Sequence, residues 1–271
     1  TCAERPLVIF PEGAVTRTND HLHALLDGVA FIARTAAKRR ARIDDRKKVV
    51  VHPVGLKYLF SGDIQRQASE VLGDIEQRLT WRRKDEMPLL QRIESVGGAL
   101  LTLKELHYFG EPRSGGLGDR MAHLIEHLIG PLEEEWLGSA KSGPVVSRIK
   151  SVRMQMLPEM LNGNVAAIER DRRWRQLEDL YLAQQVSCYP SDYLHLPTVD
   201  RVLETVERFE EDMTDKARIH GHLKVLIEIG EPIEVSPKRD RRAEEDPLMV
   251  AIRDQLQAML KVLAKESRPL V

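Results

Sequence analysis

The chain has 271 residues, of which 42% are apolar and 31% charged, with a formal net charge of -1. That length holds one large domain or two small ones, and near-neutrality argues against a general nucleic-acid binder. Two cysteines, Cys2 and Cys188, are too few for a disulfide framework, so a reducing, cytoplasmic setting is expected.

Taken in chain order, Leu7-Val8-Ile9-Phe10 is an apolar run that stops at Pro11, with Glu12 and Gly13 next. It reads as a buried strand over 6–10 ending in a tight turn, with a carboxylate at the strand's carboxyl end, where ligands of open α/β sheets sit. Leu22, Leu25, Leu26, Val29, Ile32 and Ala33 recur at helical spacing and predict a helix from about Asp20 to Arg40. Lys48 to Tyr58 is valine-rich and reads as a second strand, with Pro53 marking its usable end. Strand, helix and strand together predict a parallel pair with a right-handed crossover.

From Ser61 to His220 the pattern is almost wholly helical. Helices are expected over 63–81, 88–108, 119–137, 145–161, 166–186 and 197–213, with a loop at Gly115, Gly116 and Gly118. The last of these has the clearest stripe: Val199, Val202, Leu203, Val206, Phe209 and Met213. No fixed-period repeat is apparent. Strand character returns at Leu223–Ile229, followed by Gly230-Glu231-Pro232-Ile233, a charged segment over 238–246 and a helix from Pro247 to about Lys265. No apolar run reaches the ~18 residues of a membrane span, so any membrane contact of these residues is expected to be peripheral.

Three pieces stand in order within Leu7 to Tyr58: Phe10-Pro11-Glu12-Gly13, the segment 27–33 entered near Gly28, and Val49-Val50-Val51-His52-Pro53-Val54-Gly55. This stretch resembles the glycerolipid acyltransferases typified by 1-acylglycerol-3-phosphate acyltransferase, and Leu223 to Ile233 resembles that family's late strand and Gly-x-Pro-Ile turn. The resemblance implies an α/β fold: a partial glycerolipid-acyltransferase-like sheet with flanking helices (1–60 and 221–271) around a large all-α insertion (61–220). It implies transfer of a fatty acyl group from acyl-CoA or acyl-carrier protein to a lysophospholipid or glycerol-phosphate hydroxyl, as in phospholipid biosynthesis. No cofactor is implied beyond the thioester donor, no nucleic-acid partner, and location at the cytoplasmic membrane surface.

Two departures from the family pattern bear on the site. The family continues Glu-Gly-Thr-Arg, whereas Ala14 and Val15 stand here, with Arg17 two positions further on. The family's His-x-x-x-x-Asp pair, base and orienting acid, lies well before the Phe-Pro-Glu-Gly strand, so it is expected upstream of Thr1, and the 271 residues alone are expected to be inactive. The resemblance therefore assigns substrate binding to Glu12, Gly13 and Arg17, with Phe10, Pro11 and Pro53 as structural neighbours.

Each assignment has a plainer alternative. Glu12 could be a solvent-facing turn carboxylate, and Arg17 an ordinary surface arginine in place of a bidentate phosphate ligand. His195 and Asp200 have the catalytic spacing but follow the motif strand, and Asp200 suits a helix's first turn. His123-Leu124-Ile125-Glu126-His127 matches a short zinc-site pattern but reads better as a solvated helix face. Lys38, Arg39, Arg40, Arg42, Arg46, Lys47 and Lys48, interrupted by Asp44 and Asp45, suit a helix C-terminus, or attraction to anionic headgroups. The alternative to the enzyme is a degenerate acyltransferase-fold module that binds a membrane surface or a protein without catalysis.

Overall fold

A computed structural model of the chain describes every residue except 1–4, 14, 19, 45, 164, 190, 191, 241, 244 and 271; Cys2, Ala14, Asp45 and Pro190 therefore lie outside the described residues. The chain divides into two compact units, one formed by the residues up to Ser61 with those from His222 onward, the other spanning Gly62–Gly221. The class is mixed and mostly helical, with two small antiparallel sheets.

In the first unit, α1 (Gly28–Ile43) is followed by β1 (Val50–Val51) and β2 (Val54–Phe60). After the helical unit come β3 (Leu223–Ile229), β4 (Ile233–Glu234) and α8 (Pro247–Leu263), which runs into a short 3-10 turn over Ala264–Glu266. β1 pairs antiparallel with β4, and β2 with β3, from Val54 opposite Ile229 to Phe60 opposite Leu223. Both partner strands break at the same place. Pro53 has no N–H to give, its carbonyl accepts from Gly230 N at 2.8 Å, and a Cβ on Gly230 would meet that carbonyl oxygen at 3.3 Å.

The core of this unit is Val29, Ala30, Ala33 and Ala37 of α1 against Val235 and Leu248, Met249, Ile252, Leu256 and Met259. A buried ion pair stitches the same layer. Arg34 donates to both carboxylate oxygens of Asp246, and its remaining nitrogen reaches the carbonyls of Ser236 and Lys238 at 2.9 Å. Asp246 also caps α8 by accepting from Leu248 N at 2.9 Å.

Three expectations are corrected here. Residues 6–10 form no strand: Val8 and Phe10 are 78% and 76% exposed, and no parallel pair occurs among the described residues. No described strand lies beside the run to supply ladder bonds. The helix begins at Gly28, not near Asp20, because residues 20–26 are spent on tertiary bonds, Leu26 N to the Pro11 carbonyl at 2.8 Å among them. The single strand over 48–58 is split at His52-Pro53.

The second unit contains α2 (Ile64–Thr80), α3 (Leu89–Phe109), α4 (Leu117–Leu137), α5 (Val145–Leu161), α6 (Ala167–Val186) and α7 (Val199–Thr214). α4, α5 and α6 pack together around Leu124, Leu128, Ile129, Ile149, Val152, Met156 and Leu180, while α2 packs on α3 and α7. Asp63 caps α2 and Thr198 caps α7, each accepting the N–H of the third residue on.

This unit also carries a repeat, contrary to the sequence reading. At the α2–α3 junction, Glu76 accepts from Lys84 N at 2.8 Å and from Arg92 Nε and Nη2 at 2.9 and 2.8 Å. At α3–α4, Glu105 accepts from Arg113 N at 3.0 Å and from Arg120 Nε and Nη2 at 2.9 and 2.6 Å. At α4–α5, Glu133 accepts from Lys141 N at 3.0 Å and from Arg148 Nε and Nη2 at 2.9 Å each. The backbone donor always lies 8 residues on, and the arginine 16, 15 and 15 residues on. Each first helix ends in a left-handed residue, at Trp81 (φ 57°), Gly110 (φ 76°) and Gly138 (φ 72°). The glutamate satisfies the loop's N–H and the next helix's arginine at once. Apolar residues recur around each arginine as well, Leu89, Leu117 and Val145 before it and Ile93, Met121 and Ile149 after it, so the period is also written in the sequence.

Candidate site around Glu12

Pro11 and Glu12 form a turn, and Gly13 follows at φ 67°, a conformation open to glycine. A side chain there would also collide: a Cβ would sit 2.6 Å from Leu26 Cδ1. Glu12 is half-buried and accepts from His23 N at 3.4 Å. Burial pushes its carboxyl above the ordinary 4.5, and the His23 bond only partly offsets this.

Around it the segment from Thr16 to Leu26 folds back on the strand unit. Thr18 is buried, donates to Thr16 Oγ1 at 3.0 Å and pairs with His23 Nε2 at 2.9 Å. The His23 ring meets His21 edge-on at 4.7 Å. Asp20 forms an ion pair with Lys57 of β2, and the two side chains are 2% and 1% exposed. Arg17 sits between Thr16 and Thr18 with φ 50°, a left-handed geometry that costs a side-chain-bearing residue about 1 kcal/mol or more.

The residues predicted from sequence are thus distributed unevenly. Glu12, Gly13 and Arg17 share one loop, with Phe10 and Pro11 leading into it; Phe10 is exposed and Pro11 half-buried. Pro53 is buried at the break between β1 and β2. Asp20, His23, Thr18 and Lys57 were not anticipated. One signal could have found Lys57. In β2 the inward positions alternate, Gly55 and Lys57 both being buried, and a lysine at an inward position requires a carboxylate partner.

The helical motifs have structural employment. His123 and His127 lie 5.2 and 4.7 Å from the Phe109 ring, and no group of three potential metal ligands occurs among the described residues. Asp200 is buried in the first turn of α7. Cys188 is buried, donates to the Gln184 carbonyl at 3.1 Å, and has its thiol pushed up by burial. No described helix is long and apolar enough to cross a membrane. Comparison with family models, curated proteins and solved structures gives no match.

Proposed function

We propose that the chain contributes the acceptor-binding part of an O-acyltransferase that moves a fatty acyl group from a thioester to a lysophospholipid or glycerol-phosphate hydroxyl. The observation that carries this reading is the half-buried Glu12 carboxyl, held on a turn whose glycine takes the left-handed φ of 67°. A carboxylate so placed accepts hydrogen bonds from a glycerol hydroxyl. Arg17, on the same loop, is proposed to hold the acceptor's phosphate.

In the reaction the acceptor oxygen attacks the thioester carbonyl, an ester C–O bond forms, the C–S bond breaks, and the hydroxyl proton ends on the leaving thiol. The residues of this chain bind and orient; none of them is assigned the general base.

The test is thiol release from a long-chain acyl-CoA in the presence of lysophosphatidic acid, using the protein as its gene encodes it. Turnover that falls at least tenfold in Glu12→Ala, while the fold is kept, supports the assignment. Unchanged turnover in that variant sinks it. The replacement of the family's Thr-Arg by Ala14-Val15 favours a second reading, a module that binds without catalysis. Stable acceptor binding with no turnover by the encoded protein selects that one.

A further inference from the structure

The outward face of α1 is the least explained surface of the first unit. Val29, Ala30, Ala33, Arg34 and Ala37 point inward, and at 100° per residue the opposite face is Phe31, Ile32, Thr35, Arg39, Arg42 and Ile43, flanked by Lys38. Phe31 and Ile43 are 72% and 73% exposed, while Lys38, Arg39 and Arg42 are exposed. The helix carries no acidic residue. Lys38, Arg39 and Arg42 make no ion pair with the described carboxylates, whereas the cations nearby do: Arg34 with Asp246, Arg46 with Asp44, and Lys48 with Glu234. In a chain of net charge -1, this face concentrates cations that pair with no described carboxylate, interleaved with bare apolar side chains.

We infer that the outward face of α1 docks on an anionic lipid surface, with Phe31, Ile32 and Ile43 entering the headgroup boundary and Lys38, Arg39 and Arg42 meeting lipid phosphates. Charge complementarity fixes the sign of the partner. The exposed Phe31 and Ile43 select a bilayer over a nucleic acid, because a phosphate backbone has no apolar layer to receive them. The inference is independent of Glu12, so vesicle binding and acyl transfer can fail separately.

The experiment is flotation of the purified 271-residue chain with vesicles of phosphatidylcholine alone and of phosphatidylcholine with 30% phosphatidylglycerol. Binding is expected only to the anionic vesicles, and it is expected to weaken with added salt. The triple variant Lys38→Gln, Arg39→Gln, Arg42→Gln is expected to partition on the order of 100-fold less, from ~1 kcal/mol per cation. Phe31→Ser is expected to lose about tenfold at every salt concentration. All four positions are solvent-facing, and circular dichroism of each variant confirms the fold. Equal binding to both vesicle types overturns the inference, as does anionic binding that the triple variant leaves unchanged. Binding to a single-stranded RNA in place of vesicles, insensitive to Phe31→Ser, overturns it too.

Discussion

The two units solve the same problem in opposite ways. In the helical unit every buried charge at the α2–α3, α3–α4 and α4–α5 junctions finds its partner within 16 residues. In the strand unit the equivalent pairs span the chain: Lys57 meets Asp20 across 37 residues, and Arg34 meets Asp246 across 212. The helical unit is consequently legible from local pattern, while the strand unit is assembled from remote pieces. It also leaves apolar surface uncovered. Along β3, Leu223, Val225, Ile227 and Ile229 lie on one face with Val54, Leu56, Tyr58 and Phe60 of β2, and Ile227 and Ile229 are 64% and 69% exposed.

The strongest way to break this contrast is to orphan a clasp. Arg148 donates to Glu133 and also to Glu126. Arg148→Met leaves the Glu133 carboxylate buried and unpaired, and is expected to cost about 3–5 kcal/mol. All three tryptophans, Trp81, Trp136 and Trp174, lie in the helical unit, so urea unfolding followed by their fluorescence reads it selectively. A loss below about 1 kcal/mol would show that the clasp is dispensable.

Lys57→Met makes the matching cut in the strand unit, leaving Asp20 buried beside an apolar group. A cost of about 3 kcal/mol is expected, read as faster amide exchange along β2 and β3. Because Asp20 anchors the segment that faces Glu12, the His23 amide is also expected to exchange faster. Loss confined to the strands, with His23 unmoved, would disconnect the ion pair from the candidate site.

Acid separates the paired carboxylates from Glu12 by sign, Asp246 of the strand unit behaving like the helical clasps. Hydrogen bonds from Arg120, stronger than the opposing burial, hold the Glu105 carboxyl below its ordinary 4.5; in Glu76 and Glu133 burial is the largest single influence, but arginine and backbone donors together outweigh it. These groups stabilise the fold fully above pH ~4.5, and that stability drains away as pH falls through their lowered folded values. Glu12 runs the other way. Its raised carboxyl favours the folded state below pH 4.5 and loses that contribution as pH rises through the folded value. Glu12→Gln is therefore expected to raise the melting temperature near pH 7 and to leave it unchanged near pH 4. A variant less stable than the parent at pH 7 would mean that the ionised carboxylate has a partner worth more than its burial costs.

The smallest effect sharpens the repeat. Gly110 and Gly138 end their helices in the left-handed region without penalty, whereas Trp81 does so with a side chain that is 85% exposed. Trp81→Gly is expected to stabilise the helical unit by up to about 1 kcal/mol, by urea unfolding followed by circular dichroism. A loss of stability would place Trp81 in a packing role its exposure does not suggest.

Helix positions after residue 60 were readable to within two residues, because each helix carries its own apolar stripe and most end at a glycine, a proline or a capping side chain. β3 was readable to the residue for the same local reason. Glu12 and Gly13 were legible as a turn, since Pro-Glu-Gly after an apolar run dictates one. The surroundings of that turn were not. The helical spacing from Leu22 to Ala33 is real, yet its first half is unwound, because Asp20, His23 and Leu26 form tertiary bonds in place of helical ones.

The sequence by itself determined the mixed class, the helical middle of the chain, the strand β3 and the turn that presents Glu12, all through interactions closed within a few residues. Only the tertiary structure decided that Leu7–Phe10 stays out of a sheet, that β2 pairs with β3 although the whole helical unit separates them in sequence, and that Lys57 meets Asp20. Those outcomes depend on partners far along the chain, which local propensity cannot weigh against one another.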